Sequence, residues 1–157
     1  MTQKEHLPAV FERCAREVLL REAGLRHDWV IGGDTSKLVI PKADEAGFTV
    51  EAQAETYGLY ASAEGWHSGA WEPTSRKETL EELCSEFLGF VRTLVSSDAE
   101  LEVRYAGGTP YKWTMTYGVE GGAESESTGL LFFNYFGRRS TRVLRNQHLP
   151  PRYGIGA

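Results

Sequence analysis

Two segments of the chain carry apolar residues at helical spacing. Over residues 5–24, apolar residues recur every three or four positions, Pro8 suits a first helical turn and Gly24 suits a helix end. The second segment has one continuous stripe formed by Leu80, Leu83, Cys84, Phe87, Val91, Leu94 and Val95. Ser75 and Glu78 precede that stripe with the spacing of a capping box. The pattern predicts helices over about 5–24 and 76–97.

Between these segments the apolar period changes to two, which is typical of antiparallel strands with one buried face. Residues 48–54 alternate in this way, and residues 59–63 are predicted to form their partner strand. Residues 29–31 and 38–40 flank a glycine-containing turn and predict a hairpin. The inward residues of 48–63 are small, so we expect a helix to approach this part of the sheet closely.

After the second helix, the sequence predicts four strands, near 101–105, 111–119, 130–136 and 139–145. Residues 130–136 are apolar on both faces apart from Asn134, which indicates a central strand. Residues 139–145 contain two apolar residues and several arginines. They are predicted to form an edge strand, because charge there discourages pairing with other molecules.

The element order α-ββββ-α-ββββ predicts an α+β fold, with two helices packed on one face of a largely antiparallel, multi-stranded sheet. The repeated order also suggests a duplication, although the two halves show no convincing residue match. Length predicts a single domain over residues 1–157. Pro150, Pro151 and the glycines that follow predict an irregular C-terminal tail from about residue 147.

Charge is distributed unevenly along the chain. The 157 residues include 17 Lys and Arg and 22 Asp and Glu, which gives a net charge of −5. Residues 137–157 hold five arginines and no acid, so residues 1–136, with 12 basic and 22 acidic residues, carry −10. This acidic balance argues against general nucleic-acid binding. The basic tail is interpreted as neutralising the acidic body or, alternatively, as docking a partner.

The sequence carries no signal for a membrane or a secretory route. No apolar run reaches the roughly 18 residues of a membrane span, and the N-terminus does not resemble a signal peptide. We therefore expect a cytoplasmic protein that does not enter membranes.

Cys14 and Cys84 lie 70 residues apart, each within an apolar helical stripe. Neither belongs to a pair with metal-ligand spacing, and the four histidines also lack such spacing. We expect buried, reduced thiols, no metal and no cofactor. No nucleotide-binding or catalytic motif is recognisable in the sequence.

The most unusual segment is the loop over residues 65–73, which holds Trp66, His67 and Trp71 between glycine and proline. Tryptophan is frequent at the centre of protein interfaces because it buries a large area at a small cost in rotamer freedom. The alternative is that the indole rings close the end of the sheet below the second helix. A mixed arrangement would bury one ring and present the other.

An aromatic stripe is also predicted, with Tyr111, Trp113, Met115 and Tyr117 sharing one strand face. Such a stripe at period two usually packs beneath a helix. A stacking platform for single-stranded nucleic acid is the alternative, and the acidic balance disfavours it.

These observations favour a non-enzymatic protein-binding domain, an acidic inhibitor of the toxin-immunity kind that neutralises a basic bacterial toxin. Its candidate binding residues are Trp66, His67, Trp71, Arg139 and Arg142. One alternative is a small enzyme or ligand-binding protein with a pocket near the Trp66–Trp71 loop, in which His67 acts as acid or base and a tail arginine binds an anion. Another is an adaptor subunit that forms a homodimer through the edge strand or this loop.

Overall fold

A computed structural model describes residues 5–21, 25–73, 79–130 and 136–154 of the chain. Helix α1 spans Leu7–Cys14 and continues as a π-helical segment, Ala15–Leu19, and helix α2 spans Leu80–Leu94. The strands are β1 (Asp28–Gly32), β2 (Thr35–Ile40), β3 (Val50–Ala54), β4 (Leu59–Ala63), β5 (Trp66–His67), β6 (Ala99–Ala106), β7 (Thr109–Val119), β8 (Gly122–Gly129) and β9 (Arg139–Arg145).

The strands form two antiparallel sheets, of five and four strands. The first sheet is a meander in the order β1-β2-β3-β4-β5, and the second has the order β8-β7-β6-β9. The α+β class is confirmed and the element order roughly matches the prediction. The expected single sheet is in fact two sheets, and a short fifth strand, β5, ends the first of them.

Helix α2 lies against both sheets and contacts β3 and β4 on one side and β6 and β7 on the other. Its predicted stripe is buried, with Leu83, Phe87, Val91 and Leu94 each no more than 3% exposed. The inward face of β3 and β4, which the helix contacts, carries alanines 52, 54, 61 and 63, all at most 2% exposed. These small side chains allow the close approach of the helix that the sequence predicted.

Both cysteines are free and buried, as predicted, with Cys14 on α1 and Cys84 on α2. Burial raises the pKa of the Cys84 thiol to about 12. Burial also raises the pKa of Cys14. Both thiols are therefore protonated at neutral pH and pack as small apolar groups.

Helix α2 begins four residues later than predicted. The Thr79 hydroxyl accepts a hydrogen bond from the Glu82 amide, and the Glu82 carboxylate accepts one from the Thr79 amide. The sequence contains two consecutive Ser/Thr-x-x-Glu patterns, and the second one caps the helix. Ser75 and Glu78 lie outside the described residues, as does Gly24.

Strand β8 was not predicted, because it lacks apolar alternation. Its side chains from Glu124 to Thr128 are polar, and hydroxyl pairs join it to β7, Thr114 with Ser127 at 2.9 Å and Thr116 with Ser125 at 2.8 Å. Of the predicted central strand 130–136, residues 131–135 lie outside the described residues. Leu130 and Phe136, the described ends of this segment, lie outside any strand and are 44% and 86% exposed.

The predicted edge strand is confirmed, since β9 lies at the edge of the second sheet beside β6. Asn146, directly after it, joins both sheets to α2. Its buried carboxamide exchanges hydrogen bonds with the Phe48 backbone, both at 3.0 Å, and donates to the Leu94 carbonyl at 3.2 Å. The described part of the tail beyond it, residues 147–154, contains no regular strand. It is fixed by the buried carboxylate of Asp98, which accepts hydrogen bonds from the Arg152 and Tyr153 amides.

Candidate functional site

The two tryptophans of the 65–73 loop have different environments. Trp66 is 1% exposed, and its indole N–H donates to the carbonyl of Glu126 on β8 at 3.1 Å. This ring belongs to the core between the sheets, so it is not a surface anchor. Trp71 is half-buried and packs with its ring centroid 5.6 Å from those of Phe87 and Phe90. The loop therefore has the mixed arrangement, one ring buried and one partly presented.

The turn between β4 and β5 packs against the second sheet. Gly65 lies flat against the indole of Trp113 on β7, and a Cβ atom at this position would lie 2.3 Å from that ring. Only glycine permits the contact, which brings the end of the first sheet against the second. His67, two residues later, is exposed, and its Nδ1 lies 3.3 Å from the Ser68 carbonyl oxygen.

The candidate arginines lie on β9 and contact the protein's own surface. The Arg139 guanidinium stacks 5.2 Å from the Tyr111 ring centroid and donates to the Tyr111 hydroxyl at 2.9 Å. Arg142 donates to the backbone carbonyl of Glu45 and lies 3.9 Å from its carboxylate. Arg145 on the same strand pairs with Glu100. The contacts of Arg142 and Arg145 with glutamates support intramolecular neutralisation by the basic tail, whereas Arg139 contacts the neutral Tyr111.

A different surface combines aromatic rings with charge. A groove runs between α2 and strands β7 and β8, bounded by the 69–72 loop at one end and by Tyr153 of the tail at the other. Two adjoining cavities, of about 440 Å³ and 340 Å³, share Trp71, Glu86, Tyr117 and Glu124. We refer to this surface as the acidic groove.

The floor of the acidic groove is a packed aromatic cluster. Phe90 of α2 stacks on Trp71 with an interplanar angle of 28° and meets Tyr117 edge-on, with centroids 4.9 Å apart. Trp66 supports the Phe90 ring from within the core at 6.4 Å. The helix, the loop and the second sheet thus each contribute one ring to a surface that core packing holds in place.

Five carboxylates and one guanidinium line the groove, giving a net charge of −4: Glu72, Glu86, Glu120, Glu124, Glu126 and Arg152. Glu124 and Glu126 alternate along β8 and so project to the same face. The Tyr117 hydroxyl oxygen lies 3.2 Å from a carboxylate oxygen of Glu124 and 3.0 Å from one of Glu126, and its single proton is shared between these two acceptors. Burial, reinforced by the hydrogen bond to Glu126, raises the pKa of Tyr117 well above its ordinary value. Tyr117 therefore remains a neutral donor that positions both acids.

The sequence offered a signal for this site that apolar patterning did not use. Glutamate and serine alternate over residues 124–127, at the same period of two that identified the other strands. On a strand, that spacing places two carboxylates side by side on one face. Of the predicted binding residues, Trp71 lines the groove, whereas Trp66 lies below its floor and His67, Arg139 and Arg142 are not among the lining residues.

Comparison of the chain with protein-family models, curated proteins and solved structures gives no match. Within the described residues, no three His, Cys, Asp or Glu side chains are grouped so as to hold a metal ion. The helices in that part of the chain are also too short or too polar to cross a membrane.

Proposed function

We propose that the protein is a non-enzymatic binding domain whose acidic groove receives a positively charged segment of a basic partner protein, in the manner of an immunity protein that neutralises a basic bacterial toxin. The observation that carries this proposal is the groove itself, in which five glutamates surround the rings of Trp71, Phe90 and Tyr117. The small-enzyme alternative requires His67 and a tail arginine around one pocket; Arg152 of the tail lines this groove, but His67 does not.

The chemistry of the groove suits an arginine side chain of the partner. A guanidinium group can lie flat on an aromatic face and at the same time donate paired hydrogen bonds to a carboxylate. Trp71 offers the partly exposed face, and Glu124 and Glu126 offer acceptors that Tyr117 holds in position. A lysine of the partner would satisfy the charge but not the planar contact.

Long-range attraction would act before these contacts form. Residues 1–136 carry a charge of −10, and such a surface accelerates encounter with a basic partner in a manner that added salt weakens. Trp71→Ala should chiefly raise the dissociation rate, because a central aromatic anchor controls how long a complex lasts. Glu124→Gln with Glu126→Gln should lower the association rate as well, since it removes two charges.

The test is a parallel capture from the source cell with three immobilised proteins. These are the wild type, Glu124→Gln with Glu126→Gln, and the matched control Glu51→Gln with Glu55→Gln, which changes the net charge equally on the outer side of the first sheet. We expect a basic protein, encoded beside this chain's gene, to be retained by the wild type and the control and lost from the groove variant. Equal retention by all three proteins, or no basic protein among those retained, contradicts the proposal.

A further inference from the structure

A separate cavity of about 210 Å³ lies where the end of the first sheet meets the second sheet. No described residue lines both this cavity and the acidic groove. Its floor is apolar and aromatic, formed by Val103, Tyr105, Trp113 and Leu144 of the second sheet. We refer to it as the junction cavity. Because a cavity of about 150 Å³ holds a benzene ring, the junction cavity has room for one ring and a short polar group.

Two cations line the junction cavity, Lys42 from the segment after β2 and Arg142 from β9. Both contact Glu45, Lys42 through its Nζ at 3.2 Å from the carboxylate and Arg142 through a hydrogen bond to the backbone carbonyl. The Glu45 side chain is 83% exposed, so solvent weakens its pairing with both cations. A lysine ammonium has three donors and a guanidinium has five, so both groups retain donors for a carboxylate in the cavity.

Glu64 lines the same cavity in an unusual backbone conformation. At a φ of 53° it is the only non-glycine residue with a positive φ in the described part of the chain, and it lies in the two-residue turn between Ala63 and Trp66. Glycine, asparagine and aspartate usually occupy such positions, because longer side chains are strained there. Its carboxylate has no hydrogen-bond or ion-pair partner among the described residues. Strain of this kind is concentrated at sites that hold ligands.

We propose that the junction cavity binds a free α-amino acid with an apolar or aromatic side chain. The carboxylate of the amino acid pairs with Arg142 and Lys42, its ammonium pairs with Glu64, and its side chain lies on the floor of the cavity. The lining therefore supplies partners for both charges of a zwitterion together with an apolar surface. A ligand that lacks either charge leaves one side of the cavity unpaired, which lowers its affinity.

The test is a titration of isotope-labelled protein with L-phenylalanine, followed through the indole resonance of Trp113. We expect a saturable shift with a dissociation constant below about 1 mM, and an unmoved resonance of Trp71, which lines the acidic groove instead. Two analogues isolate the charges, 3-phenylpropanoate without the ammonium and 2-phenylethylamine without the carboxylate. Each should bind at least about tenfold more weakly than L-phenylalanine, because a charged group of the protein loses its partner.

Substitutions at the two charged sides should remove this selectivity one side at a time. Glu64→Gly should weaken L-phenylalanine about tenfold and leave 3-phenylpropanoate unchanged, since that analogue has no ammonium to lose. It should also raise the melting temperature, because glycine adopts a positive φ without strain. Arg142→Gln should weaken L-phenylalanine and leave 2-phenylethylamine unchanged. A variant that failed to fold would lose the analogues as well, so the selective pattern separates binding from folding.

Matched controls are Glu102→Gln and Arg104→Gln, which make the same charge changes on a pair of residues outside the junction cavity. Both controls should bind L-phenylalanine as the wild type does. An unmoved Trp113 resonance at about 10 mM L-phenylalanine, ten times the weakest dissociation constant expected, overturns the proposal. Equal affinities for L-phenylalanine and both analogues overturn it too, as does unchanged selectivity in Glu64→Gly and Arg142→Gln.

Discussion

The two sheets of this protein present contrasting inner faces to helix α2. On the five-stranded sheet, the inward residues of β3 and β4 are apolar, and four of them are alanines at most 2% exposed, so the helix packs directly on the strands. On the four-stranded sheet, α2 contacts β6 and β7, while β8 presents Glu124 and Glu126 beside Tyr117. The first face is closed by the helix, and the second retains the acidic groove.

The difference shows how one strand period can serve two purposes. Small apolar residues at alternate positions lose little entropy on burial and let a helix come close. Glutamates at alternate positions resist burial, because removing unpaired charges from water is costly, so the space beside β8 remains open. The placement of charges along the strands therefore separates a buried core contact from an open acidic groove.

The largest effect on stability is expected at the buried face of helix α2. Phe87→Ala should reduce the free energy of unfolding by about 3–5 kcal/mol, through lost burial and the cavity that remains. Urea denaturation measures this change. The control is Ser85→Ala on the exposed side of α2, whose free energy of unfolding should stay within about 0.5 kcal/mol of the wild type. If the free energy of unfolding falls by less than about 1 kcal/mol, and the slope of its dependence on urea concentration is unchanged, the helix is not anchored through the Phe87 ring.

A smaller effect tests the close approach of the helix to β4. Ala61→Leu should destabilise the protein by about 1–3 kcal/mol, because no space exists for the added side chain. The neighbouring Ser62 points to the opposite face, so Ser62→Leu is the matched control and should change stability far less. Equal effects of the two substitutions would contradict the packing of α2 on this strand.

The sequence predicted the buried contact between α2 and the five-stranded sheet well and the acidic groove poorly, for a physical reason. Burial imposes apolar periodicity, and that periodicity located both helices, most strands and the edge strand β9. Strand β8 is held by hydroxyl pairs and backbone bonds, which impose no apolar pattern. Trp66 and Trp71 could not be told apart, because the burial of Trp66 depends on contacts with Phe90 and with the Glu126 carbonyl, the latter 60 residues away along the chain.

The free energy of unfolding should depend on pH through the buried thiol of Cys84 on α2. The pKa of Cys84 is raised from about 9 to about 12, so the folded state retains a proton that the unfolded state loses. The free energy of unfolding should be insensitive to this group below pH 9 and should fall between pH 9 and pH 12. Urea titrations at several pH values across this range measure how steeply the free energy of unfolding falls with pH, and Cys84→Ala should make that fall less steep. An identical slope in that variant would contradict burial of the thiol.

The smallest effect on stability is expected in the groove. Glu124→Gln with Glu126→Gln should leave the free energy of unfolding within about 0.5 kcal/mol of the wild type, because both positions are exposed and the amide oxygens still accept from Tyr117. Thermal unfolding measures this directly. A large destabilisation would show that the two glutamates serve the fold rather than a ligand.

The proposed function requires the acidic groove to bind a positively charged side chain on its aromatic floor. It is tested most directly by titrating isotope-labelled protein with the peptide acetyl-Gly-Arg-Gly-Arg-Gly-amide and following the tryptophan indole resonances. We expect a saturable shift of the Trp71 resonance, an unmoved Trp29 resonance on the far sheet edge, and no shift with a citrulline peptide or with the Glu124→Gln, Glu126→Gln variant. Equal shifts with the arginine and citrulline peptides, or an unmoved Trp71 resonance at saturating peptide, would contradict it.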